Sequence, residues 1–122
     1  MAAKFLLKTS DNGKFMFNLR AANGEAILTS QLYETKHSAE EGIESVRRNA
    51  AFDENFDRRT AGDGESFFVL HAANKQIIGR SELYTSAAGA EKGIASVKRN
   101  ASLAELEDAT EKKHKSRVAR HG

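Results

Sequence analysis

The sequence predicts an α+β fold formed by a tandem repeat, in which each copy joins short strands to a single helix. Three observations predict it. Residues 17–50 return at residues 68–101 without a gap, every residue displaced by 51 positions. About half of the paired residues are identical, far beyond what shared composition gives. Within each copy an alternating run closes on a turn, which marks a hairpin, and the apolar period then changes to three and four, which marks one buried helix stripe.

Residues 4–8 (KFLLK) read as a short first strand. Phe15, Phe17, Leu19 and Ala21 then alternate with Met16, Asn18 and Arg20, so one face of the next strand is buried. Asn23-Gly24 follows at once and reads as a type I′ turn, whose two central residues both need positive φ. A two-residue loop there pairs Ala21 with Ala26, Leu19 with Leu28 and Phe17 with Ser30. In the second copy the turn reads Asn74-Lys75, where lysine adopts the left-handed conformation at a steric cost.

Ala39, Gly42, Ile43, Val46 and Ala50 recur at helical spacing. Thr35 or Ser38 is the expected N-cap, Ser38 having Glu41 at capping-box spacing, and Ser86 or Gly89 serves the second copy. Arg47-Arg48 and Lys98-Arg99 fall at the helix ends, where the macrodipole favours cations, and Asn49 or Asn100 is placed to end its helix in a left-handed cap. Gly42 and Gly93 sit inside the buried stripe at a propensity cost of about 1 kcal/mol each. Closer approach of helix to sheet is the expected compensation. Residues 54–60 form a strand between the first helix and the second hairpin, and residues 105–110 take the equivalent place after the second helix as a weak closing strand.

Ala21-Ala22-Asn23-Gly24-Glu25, the Ser-x-x-Tyr after each hairpin, and the helical run from Gly93 to Ala101 (GIASVKRNA) resemble the YegP-like family over roughly residues 4 to 110. The resemblance implies two β-β-β-α-β motifs that form one mostly antiparallel sheet with two helices packed on one face, the closing strands being exchanged between the halves. It implies no function. The chain departs from the family pattern at Asn74-Lys75, which lacks the turn glycine, and in a longer basic C-terminus. Residues 1–53 are thus the first repeat and residues 54–110 the second, the two forming one compact domain, with residues 111–122 a disordered basic tail. A unit of about 50 residues is marginal by its surface-to-volume ratio, so the copies should complete each other, and a monomer with internal pseudo-two-fold symmetry is expected.

Composition narrows the function. There is no cysteine, which excludes disulfides, thiolate metal sites and a thiol nucleophile. No export signal or apolar span is legible, and the expected location is the cytoplasm. The net charge of +2 divides into +4 for residues 111–122 and −2 for the rest. A slightly acidic body is a poor match for a nucleic-acid-binding face. Weak polyanion contact belongs to the tail, through Lys112, Lys113, Lys115, Arg117 and Arg120.

His37, His71, His114 and His121 have no counterparts in the other copy, so no metal site or cofactor is expected. P-loop and dinucleotide motifs are absent, and the chain reads as non-enzymatic. The polar residues present twice, among them Asn23/Asn74, Tyr33/Tyr84, Ser45/Ser96 and Asn49/Asn100, each have a structural reading at turns, strand ends or helix ends. The expected interaction surface is instead the sheet face opposite the helices, carrying Met16, Arg20, Ile27, Phe67, Val69, His71, Ile78 and Arg80. The partner, a protein in this reading, is not specified.

Overall fold

The structure is a computed structural model and describes residues 2–110. Strands β1 (Lys4–Thr9), β2 (Phe15–Arg20) and β3 (Ala26–Thr29) precede helix α1 (Lys36–Asn49). A 3-10 turn (Asp53–Asn55) leads into β4 (Phe56–Thr60), β5 (Ser66–His71) and β6 (Ile77–Arg80), then helix α2 (Ala87–Asn100) and β7 (Glu105–Asp108). All seven strands form one sheet in the order β4-β5-β6-β3-β2-β1-β7. Every pairing is antiparallel except β1 with β7, and the halves meet where Thr29 pairs with Arg80.

The exchange of closing strands follows from this order. The strand after α1 is β4, which pairs with β5 of the second half, and the strand after α2 is β7, which pairs with β1 of the first. Ion pairs of Lys4 with Glu107 and of Lys36 with Asp108 tie β7 to its host. The other edge, β4, carries exposed Arg58 and Arg59, charges that discourage further strand pairing.

Each half is built around an aromatic ladder. Phe17 stacks on Tyr33 at 6.2 Å and meets Phe5 edge-on at 6.0 Å, with the Arg47 guanidinium 5.0 Å from the Phe5 centroid. Phe68 repeats this with Tyr84 at 6.4 Å and Phe56 at 5.8 Å, and Lys98 lies over Phe56. Ile43, Val46, Ile94 and Val97 close the core from the helices, burial worth about 1.5–3 kcal/mol each. The helix glycines do permit close approach: a Cβ on Gly42 would stand 2.4 Å from Tyr33 Oη, and one on Gly93 the same distance from Tyr84 Oη. At the join, Leu28 fills the space over Gly79, where a second Cβ would stand 2.8 Å from Leu28 Cγ. The sequence copies differ there because two leucines do not fit.

The local expectations need three corrections. The hairpin tip is a three-residue loop with only its last residue at positive φ, Gly24 at 90° and Lys75 at 75°, so it is not a type I′ turn. Gly24 N–H donates to the Ala21 carbonyl and Ala21 N–H to the Glu25 carbonyl, while Asn23 Oδ1 accepts from Glu25 N–H. Leu19 pairs with Leu28 as expected, but Arg20 pairs with Ala26, so Ala21 does not pair with Ala26 and Ile27 is the extra residue of a bulge. The second hairpin repeats this, with Ile78 extra. At the helix ends, Ala50 and Ala101 continue in right-handed geometry, so neither Asn49 nor Asn100 forms a left-handed cap. Of the alternative N-caps, Thr35 and Ser86 hold the position, accepting from Ser38 and Gly89 N–H.

Candidate binding sites

The helix of each half extends over the hairpin of the other half and leaves a groove beside it. The first groove, about 600 Å3, runs between α1 and the second hairpin tip (residues 72–78). The second, about 680 Å3, runs between α2 and the first hairpin tip (residues 21–27). Both volumes suit a small ligand. The two grooves are lined at equivalent positions. Ala22, Asn23 and Ile27 of one hairpin correspond to Ala73, Asn74 and Ile78 of the other, and Tyr33, Ser45, Arg48 and Asn49 to Tyr84, Ser96, Arg99 and Asn100.

The bulge explains the floor of each groove. An extra strand residue re-aims its side chain, and Ile27 and Ile78, each 7 % exposed, turn to the helix side. They are therefore absent from the opposite face, where a regular two-residue hairpin would have put them. On the wall, Gly42, Ser45 and Asn49 follow at one-turn spacing along α1, with Arg48 beside the last. The Tyr33 hydroxyl lies against Gly42, so donors and acceptors run from it for about 10 Å along the helix to Asn49, at about 1.5 Å per residue. Asn49 Nδ2 donates to the Ser45 carbonyl and Oγ, and Asn100 does the same with Ser96. Burial raises the pKa of Tyr33 above the ordinary tyrosine range, opposed by a hydrogen bond with Gln31. Tyr84 is raised by burial and by Glu82 and Glu25, so both hydroxyls are neutral near pH 7.

The sheet face without helices is narrower than the sequence implies. Register aligns Glu107, Leu6, Asn18, Thr29, Arg80, Val69 and Asp57 in one row across it. Asn18 and Val69 are only 4 % exposed although no helix covers them. Long neighbours overlie this face: Arg20 Nε donates to Asn18 Oδ1, and the Arg80 guanidinium stands 5.1 Å from the Phe67 centroid. Val69 is thus buried, and the accessible remainder is Met16, Arg20, Phe67, His71 and Arg80. His71 Nδ1 lies 3.1 Å from the Ala72 carbonyl, and His37 pairs with Glu41 at 3.3 Å. Lys112, Lys113, Lys115, Arg117 and Arg120 lie outside the described residues.

One charged cluster was not anticipated. Arg58 binds Glu91 through two hydrogen bonds of 2.6 and 3.0 Å and also holds Asp53, which accepts from Lys98 at 2.7 Å. The hydrogen bonds from Arg58 and then Lys98 bring the Asp53 pKa down to about 2. The first half has no copy of this network, since Leu7 and Ala2 stand at the places of Arg58 and Asp53. Among the described residues no group of three or more His, Cys, Asp or Glu could hold a metal ion, and no helix is long and apolar enough to cross a membrane.

These features define a duplicated α+β protein whose two hairpin-and-helix units share one sheet and face each other's helices. Residues 10–57 and 61–108 each match the family described as a domain of unknown function, DUF1508, and the chain belongs to that family. UPF0339 protein PA0329 of Pseudomonas aeruginosa is 55% identical over 108 residues, 88% of this chain and 98% of that protein. UPF0339 protein YegP of Escherichia coli is 49% identical over 110 residues, 90% of this chain and all of that one. The solution NMR structure of YegP, described as a protein of unknown function, superposes with a TM-score of 0.85, covering 90% of this chain and 95% of that chain. UPF0339 protein SO3888 of Shewanella oneidensis, 41% identical over 93% of this chain and 97% of that chain, gives 0.87. The YegP-like resemblance therefore holds, and these descriptions state no activity or ligand.

Proposed function

We propose that the protein is a non-enzymatic binding module with two equivalent ligand sites, one in each groove. One coincidence carries this reading. Between residues 17–50 and 68–101 half of the identical pairs are buried in both copies, and many exposed positions have diverged, as at Lys36/Ala87, His37/Ala88 and Glu44/Ala95. Within that stretch, the identical pairs that keep solvent access in both copies all line the grooves except Leu32/Leu83 and Glu40/Glu91. Outside it, Thr9/Thr60, Gly13/Gly64, Glu54/Glu105 and Asp57/Asp108 are also identical, accessible and away from the grooves. Asn23, Ser45 and Asn49 have local structural bonds that account for their retention, whereas Ala22 and Arg48 do not.

The test is a titration of the 15N-labelled full chain with small-molecule extract of a bacterial cell, read by amide shifts. Paired changes around Ser45 and Ser96 are expected. Changes confined to Phe67, His71 and Arg80 would replace this reading with a second one, binding at the helix-free face, which the cation-π pair of Arg80 with Phe67 favours. An extract that moves neither set would oppose both.

A further inference from the structure

Resting on the groove reading, we infer that each groove takes a small ligand bearing a carboxylate or phosphate, received by the guanidinium of Arg48 or Arg99. Both arginines are exposed. Among the described residues neither side chain makes a hydrogen bond or an ion pair. The helix dipole alone does not explain their identity. Position 47/98, also in the last turn, exchanges arginine for lysine, which keeps the charge that a dipole needs. Position 48/99 keeps the planar fork in both copies. That fork differs from an ammonium in its ability to bind a carboxylate or phosphate through two parallel hydrogen bonds.

The rest of each groove suits the remainder of such a ligand. Ala22 and Ile27, or Ala73 and Ile78, present methyl groups on the hairpin side. The tyrosine hydroxyl lies against the helix glycine and, being neutral, supplies a donor without a competing negative charge. The two grooves differ at one charged pair. Glu41 lines the first groove and Lys92, at the same repeat position, lines the second. The second groove thus has two cations against Glu25, the first a single cation against Glu41, and the second is the tighter anion site.

Phenyl phosphate, benzoate and neutral benzamide distinguish the chemistry when titrated into the labelled full chain, with amides near Ser45 and Ser96 followed separately. Both anions are expected to move both sets and to saturate the second groove at lower concentration. Arg48→Ala weakens only the first site and Arg99→Ala only the second, each about tenfold or more, as expected for a lost charge-assisted hydrogen-bond pair. Lysine at either position restores part of that loss. Because both side chains are exposed and unpaired, the variants melt with the parent, and circular dichroism checks this. Groove shifts with benzamide but not with the anions would overturn the anion assignment and leave the groove reading standing. Anion shifts that persist in the double alanine variant, or no shift with any probe, would overturn the assignment of the two arginines.

Discussion

Gly42→Leu probes the contact that brings each helix down onto its aromatic ladder. A Cβ at this position would lie 2.4 Å from Tyr33 Oη, 2.8 Å from Tyr33 Cζ and 3.0 Å from Phe17 Cε2. Relief requires the Tyr33 ring to move about 1 Å to reach ordinary contact distances of 3.5–4.0 Å. That motion breaks its stacking on Phe17, whose ring lies at 14° to it. Overpacking of this kind costs about 1–3 kcal/mol for Cβ alone, and the remaining leucine carbons add to it. Leaving glycine returns about 1 kcal/mol of helix propensity. The net expectation is a loss of about 1–3 kcal/mol, seen in urea denaturation as a lower midpoint at constant slope. In a Tyr33→Ser background the same substitution should cost at least about 1 kcal/mol less, because the group it displaces is gone. Equal costs in the two backgrounds, or an unchanged midpoint in the parent, would refute the reasoning.

Three further outcomes follow from the geometry. Lys75→Gly should stabilise by about 0.5–1 kcal/mol, since the left-handed conformation costs a lysine about 1–2 kcal/mol and glycine gives part of that back as unfolded-chain entropy; a lower melting temperature would count against it. Gly79→Leu should destabilise through its clash with Leu28, and adding Leu28→Gly should recover most of the loss, because the pseudo-two-fold join accepts one leucine from either side; a double variant no more stable than Gly79→Leu alone would contradict this. Asp53 has a folded pKa of about 2, below its ordinary value of 3.8, so its contribution is fully present above pH 4 and is lost as pH falls toward 2. Melting curves of Asp53→Asn should accordingly show a smaller drop than the parent between pH 4 and 2, and parallel drops would exclude Asp53 as a source.

The repeating units were legible because their signals are local. Alternation from Phe15 to Ala21, the turn residues, and the stripe from Ala39 to Ala50 report β2, its hairpin and α1 without knowledge of the rest. The bulge was not legible. A three-residue tip joined to two-residue register from Leu19 outward leaves the same apolar pattern, and only the paired strand reveals that Ile27 is extra. This single residue moves Ile27 and Ile78 from the helix-free face to the groove floors. The grooves were hidden for a second reason: each joins a helix to a hairpin about 30 to 70 positions away. The signal that could have found them was present in the pairs Arg48/Arg99 and Ala22/Ala73, surface residues repeated without a local structural task.

The central claim is that the duplicated surface residues define duplicated ligand sites, and the number of ligand equivalents bound per chain tests it most directly. Phenyl phosphate binding followed at the amides of Ser45 and Ser96 should saturate at two equivalents, one for each groove. One equivalent, or saturation reported by Phe67, His71 and Arg80 while Ser45 and Ser96 stay still, would contradict the claim.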